Sequence, residues 1–339
     1  MKRKAGWQKK TPPLLTRLYC VLLFCCGPIA MTQAAGIPSG FKEETFATSD
    51  SAGNFHYFIS GEDADKNTTS VLIVMHGHPR DVGNTLSAAL QAASGNPAAS
   101  NIPIIAPLFQ VSAAQSVHCH SSGLPATLPD DALWNCHSWL DGGLDISGKL
   151  SAFGALDQLV AHLRHRWPSL RQVTLAGFSA GGQFVQHYVA FARPPEGIRM
   201  RYVIGDPGSW LYFDKRPVMP DCKTANDWKY GLDNVPEWLK NDVTGARERY
   251  RSADISYLEG GNDRGKGRGV YYRILDKSCA ANSQGNYRLD RGENYTQYDR
   301  DVLKPVRPHQ LTVVDGCRHD VRCVFPSPAG RQVLFASSR

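Results

Sequence analysis

Beyond residue 36 the chain alternates short apolar runs with stretches whose apolar residues recur every three or four positions. The runs Phe55–Ser60, Ser70–His76, Asn101–Leu108, Gln172–Ala176, Arg201–Gly205, Asp254–Glu259 and Gln310–Asp315 read as strands. Several are nearly continuous in Val, Ile and Leu, the pattern of strands covered on both faces. Helices fit at about 84–94, 150–166 and 181–192. In the second, Leu150, Phe153, Leu156, Leu159, Val160 and Leu163 fall on one face. Strands alternating with helices, without an internal repeat or a low-complexity linker, predict one doubly wound, mostly parallel α/β domain over 37–339. Two long irregular insertions interrupt it, at about 109–149 and 211–252. Connections of that length often cover a binding site. Their aromatics, including Trp134, Trp139, Trp210, Tyr212, Trp228 and Trp238, suit either an apolar substrate surface or additional core.

The first 36 residues carry a different signal. Six basic groups and no acid precede or flank an apolar run from Leu18 to Met31, which ends in small residues around Ala34-Ala35-Gly36. This is the order of a secretory signal peptide. An uncleaved anchor is the alternative, but the run falls short of the roughly 20 residues of a spanning helix. The formal charge of +7 belongs to this leader, since the remainder holds 32 basic against 31 acidic residues. A nucleic-acid partner therefore loses its global support. Three of the nine cysteines also leave with the leader. The remaining six, in an exported chain, point to disulfides. Fifteen pairings are possible. Proximity in the chain favours Cys119–Cys136 and Cys317–Cys323, leaving Cys222–Cys279. His118, His120 and His137 raise a rival metal reading, but their spacing matches no zinc pattern. No metal or other cofactor is expected.

The chemistry centres on Gly177-Phe178-Ser179-Ala180-Gly181. Gly-x-Ser-x-Gly is weak alone in a glycine-rich chain. Here it lies between a buried strand and an amphipathic helix, the setting of a nucleophile elbow. Serine needs a base. Among eleven histidines, His319 follows the last strong strand on a glycine turn, within Gly316-Cys317-Arg318-His319-Asp320. Asp263, on the glycine-rich turn after Asp254–Glu259, is the preferred carboxylate, with Asp206 and Glu259 as alternatives. The backbone N–H groups of Ala180 and His78 are the expected oxyanion donors. His78 lies in the turn Met75-His-Gly-His-Pro-Arg-Asp81, where Pro79 has no N–H to offer.

The set HGHPRD, GFSAGG, the Gly260–Asp263 turn and GCRHD resembles the α/β-hydrolase superfamily, most closely exported esterases of the polyhydroxybutyrate depolymerase and feruloyl esterase type. The segment Asp276–Gly292 also looks like one found in exported relatives. The resemblance implies a secreted or periplasmic serine hydrolase with Ser179, Asp263 and His319 as its triad. Its substrate would be a small-molecule or polymeric carboxylic ester, with no nucleic-acid partner and no stable membrane span after leader removal. The first oxyanion turn departs from the His-Gly-Gly-Gly run of lipase-like esterases. A serine peptidase of the same fold and a non-catalytic binding protein on this scaffold are the alternatives.

Overall fold

The computed structural model describes residues 36–60, 67–216 and 221–336. The leader expected at 1–36 lies almost wholly outside these residues. Eight strands form one sheet: β1 (Phe41–Ala47), β2 (Asn54–Ser60), β3 (Ser70–Met75), β4 (Ile104–Leu108), β5 (Gln172–Phe178), β6 (Arg199–Gly205), β7 (Asp254–Gly260) and β8 (Gln310–Val314). Their spatial order is β1-β2-β4-β3-β5-β6-β7-β8. The β1–β2 and β2–β4 pairs are antiparallel, and all pairs from β4 to β8 are parallel.

Helices cover both faces. They are α1 (Val82–Ala93), α2 (Ala113–Ser116), α3 (Ala152–Arg166), α4 (Ala180–Tyr188), α5 (Ala246–Ser252), α6 (Cys279–Asn282), α7 (Arg288–Tyr298), α8 (Val321–Val324) and α9 (Pro328–Leu334). Alternate residues of one strand enter opposite cores. Val71, Ile73 and Met75 of β3 pack with Leu156, Leu159 and Leu163 of α3 and with Phe184 of α4. Leu72 and Val74 pack with Val82, Leu86 and Ala89 of α1 and with Val324 and Leu334. Helix α3 starts where Ser151 Oγ accepts the Gly154 N–H at 2.9 Å, satisfying one of its unpaired first-turn donors.

Among the described residues, the long connections at 109–149 and 211–252 hold only short helical pieces. Trp134, Trp139 and Trp210 are fully buried and join the core, which decides between their two expected uses. The connections are stapled by Cys119–Cys136 and Cys222–Cys279, and a third disulfide joins Cys317 to Cys323. Several boundaries differ from the pattern. Strand β4 begins at Ile104, after Pro103, which cannot donate to a ladder. Helix α4 closes at Tyr188 rather than 192. Strand β1 and helix α7 carry too few apolar residues to stand out, the first being a half-exposed edge and the second burying Arg288 and Arg291. Among the described residues no helix is long and apolar enough to cross a membrane.

Candidate active site

Strand β5 ends in a sharp turn into α4, and Ser179 sits at its tip with φ 59° and ψ −121°. Left-handed φ is uncommon for a non-glycine residue and costs on the order of 1–3 kcal/mol, so the surroundings must enforce it. The turn also demands close backbone approach. A Cβ on Gly181 would lie 2.5 Å from the Met75 carbonyl oxygen and 2.6 Å from that of His76. The turn after β3 thus packs against the turn after β5, and this is why small residues flank the serine.

The turns after β7 and β8 meet in the same way. A Cβ on Gly260 would lie 2.8 Å from the carbonyl oxygen of Arg318. Asn262 N–H donates to the Cys317 carbonyl at 2.7 Å, and Gly261 N–H donates to that of Val314 at 2.8 Å. These contacts deliver Asp263 and His319 to one another. His319 Nδ1 is 2.7 Å from Asp263 Oδ2, and His319 Nε2 is 2.8 Å from Ser179 Oγ. Asp263 is fully buried and His319 nearly so. With Asp263 accepting the Nδ1 proton, Nε2 faces the hydroxyl with a lone pair. Burial and the charge of Arg288 hold the imidazole below its ordinary pKa against the pull of Asp263, which favours the neutral, basic form.

No protein-family model matches the sequence, and no curated protein matches it. Solved structures do. A poly(aspartic acid) hydrolase-1 from Sphingomonas sp. KT-1 superposes with a TM-score of 0.61 at 20% identity, covering 87% of this chain and 98% of that one. A poly(3-hydroxybutyrate) depolymerase from Bordetella parapertussis gives 0.58 at 20% identity, over 88% and 90% of the two chains. The chain has the α/β-hydrolase fold. Along the chain Ser179 follows β5, Asp263 follows β7 and His319 follows β8, the order serine, acid, histidine expected from the sequence.

The turn after β3 holds His78, whose amide is the second oxyanion donor expected from the sequence. Ala180 opens α4, where the first N–H groups have no intrahelical acceptor. Asp81 shapes the β3 turn by accepting the Gly77 N–H at 2.6 Å, and burial raises its pKa to about 6. Of the two histidines here, His76 is fully buried and His78 is partly exposed. Burial pushes His76 down to about 3, and its ring lies 4.4 Å from that of Trp139. The His78 ring stacks on His137 at 5.4 Å. Cys119 and Cys136 are bonded to one another, so the histidines beside them face no free thiolate.

The two alternative acids are present behind Asp263, fully buried. Asp206 accepts the Gly260 N–H through both oxygens at 3.1 Å. Glu259 finds no donor among the described residues. Burial and the charge of Asp206 push Glu259 well above the usual carboxylate range, and burial and the charge of Asp263 push Asp206 upward as well. Neither contacts a His319 nitrogen, whereas Asp263 does. Asp206, Asp263 and His319 place potential metal-ligand atoms within 4.8 Å of one another. Those of His319 and Asp263 already bond to one another, and His319 Nε2 to Ser179.

Arg288, on α7, escaped sequence reasoning. Its Nη1 lies 3.6 Å from Asp263 Oδ1 and donates to the Val270 carbonyl at 2.8 Å. Both side chains of the pair are buried. The only hint in the sequence was that it lies in the Asp276–Gly292 stretch singled out for its resemblance.

Proposed function

We propose that the chain is an exported serine hydrolase that cleaves carboxylic esters through an acyl-enzyme. Ser179 Oγ attacks the carbonyl while His319 Nε2 takes its proton. Asp263 fixes the imidazole through Nδ1 and stabilises the imidazolium. The amides of Ala180 and His78 receive the oxyanion, each such donor being worth about 10²–10³ in rate. His319 then protonates the leaving oxygen, and water attacking under its base catalysis frees the acyl group and Ser179. The observation that carries this reading is the unbroken hydrogen-bonded line from Asp263 through His319 to a strained serine at a strand–helix turn. No cofactor takes part in it. Three disulfides support an extracellular or periplasmic site of action.

Amide cleavage is the second reading, because it uses the same groups and because one structural neighbour is named for hydrolysis of a polyamide, poly(aspartic acid). A panel of p-nitrophenyl esters and aminoacyl p-nitroanilides separates the two. Faster turnover of esters, lost in Ser179→Ala, is the expected result. Faster turnover of anilides reverses the order, and turnover by Ser179→Ala equal to wild type removes the serine from its role.

A further inference from the structure

The loop that follows Asp263 alternates basic residues with glycines, Arg264-Gly-Lys266-Gly-Arg268-Gly269. Nothing lies within 4 Å of a Cβ built on Gly265 or Gly267, so this segment stands clear of the body of the protein. It is nevertheless tied to the triad at each end. It starts at buried Asp263, and Val270 at its far end is held through its carbonyl by Arg288. The next residue, Tyr271, has φ 50°, is half exposed, and sets its ring 6.1 Å from the His319 ring. A third tether comes from the other side, where exposed Arg318, the neighbour of His319, donates from Nη1 to the Arg268 carbonyl at 3.2 Å.

The charges on this rim differ in their partners. Arg264 is paired with Asp290 and Glu293 of α7. Lys266, Arg268 and Arg318 are exposed, and none has a carboxylate partner among the described residues. Lys266 instead lies over the Tyr272 ring at 5.3 Å. The nearby acid Asp320 is taken by Arg322. The chain beyond the leader is close to neutral. Three cations without a carboxylate partner on the loops that carry Asp263 and His319 are therefore a local feature rather than an overflow of general basicity.

Resting on the serine-hydrolase reading, we propose that Lys266, Arg268 and Arg318 form an anion subsite on the histidine side of the scissile bond, selecting substrates whose leaving group carries a carboxylate. The side follows from the chemistry. His319 Nε2 must hand its proton to the departing oxygen, so the leaving group passes the imidazole and meets this rim. Guanidinium groups suit a carboxylate because they offer paired N–H donors, and a positive cleft edge raises the local concentration of an anionic substrate.

The test compares two acetate esters of equal size and similar phenol acidity, those of 3-(4-hydroxyphenyl)propionate and of its primary amide. At low ionic strength the wild-type protein is expected to favour the carboxylate by about tenfold in kcat/KM. The preference should shrink towards unity as salt is raised to about 0.5 M. It should fall several-fold in Lys266→Gln/Arg268→Gln, whose positions are exposed. The salt series on wild type is independent of whether that variant folds. Turnover of both esters without preference, or a preference that neither salt nor the double variant alters, overturns the subsite and leaves the hydrolase reading standing. No turnover of either ester by wild type overturns both.

Discussion

Replacing Arg288 by Met probes the electrostatics behind the histidine. Arg288 and Asp263 are buried side chains 3.6 Å apart, and Asp263 Oδ1 accepts no hydrogen bond among the described residues. At that separation their attraction is about 5 kcal/mol for an effective dielectric constant of about 20. Removing one member of a buried pair typically costs about 3–5 kcal/mol of stability, because the other charge stays buried alone. The same guanidinium also depresses the pKa of His319, second only to burial, while Asp263 raises it. Loss of the cation leaves the upward pull less opposed, so the imidazole pKa rises and the fraction of neutral base at a given acidic pH falls. The assay is kcat/KM for an aryl ester against pH, with thermal unfolding measured in parallel. Wild type should have an acid limb below the ordinary imidazole value of 6.5, and Arg288→Met should move it upward. Arg288→Lys, which keeps a charge, should restore much of the wild-type profile. A folded Arg288→Met protein with an unmoved acid limb would refute the reasoning.

Three further outcomes are expected. Gly181→Ala forces a methyl against the backbone carbonyls of Met75 and His76, so thermal unfolding should reveal a loss of at least about 1–3 kcal/mol and activity should collapse, whereas an unchanged melting temperature would mean the turn relaxes freely. Glu259 has its folded pKa raised above the ordinary value of 4.5, so its stabilising contribution is complete below that value and disappears as pH rises through the folded pKa. Glu259→Gln should therefore melt increasingly above wild type as the medium becomes alkaline, and a difference independent of pH would contradict a raised Glu259 pKa. Cys317→Ser/Cys323→Ser opens the short loop carrying His319, and should lower stability by about 2 kcal/mol and kcat more than it raises KM.

Much of this architecture was written in the pattern of apolar residues, and the reasons for the exceptions are physical. Strands β3, β5, β6 and β7 are central, covered on both faces, and so nearly continuous in apolar residues. Strand β1 is an edge, where exposed Lys42 and Glu43 and partly exposed Glu44 break any run. The positions of Ser179, Asp263 and His319 were legible because each follows a strand on a glycine-containing turn, and turns at strand ends leave a local signature. Choosing among Asp206, Glu259 and Asp263 required three dimensions, since all lie at carboxyl ends of neighbouring strands and only the side-chain direction differs. Arg288 was hidden for the same reason. It reaches Asp263 from a polar helix that has no strong periodicity, and an arginine in such a stretch reads as solvated surface until burial is seen. The aromatic insertions were ambiguous because large aromatic side chains serve cores and clefts equally well. Burial assigns Trp134, Trp139 and Trp210 to the core.

The central claim is that Ser179 is a nucleophile activated by His319. Incubation with a fluorophosphonate followed by peptide mass spectrometry tests it most directly. The account predicts one phosphonyl adduct, on Ser179, forming at a rate that follows the neutral fraction of His319 and absent from Ser179→Ala. Labelling that is undiminished in His319→Ala, or an adduct on another residue, would contradict it.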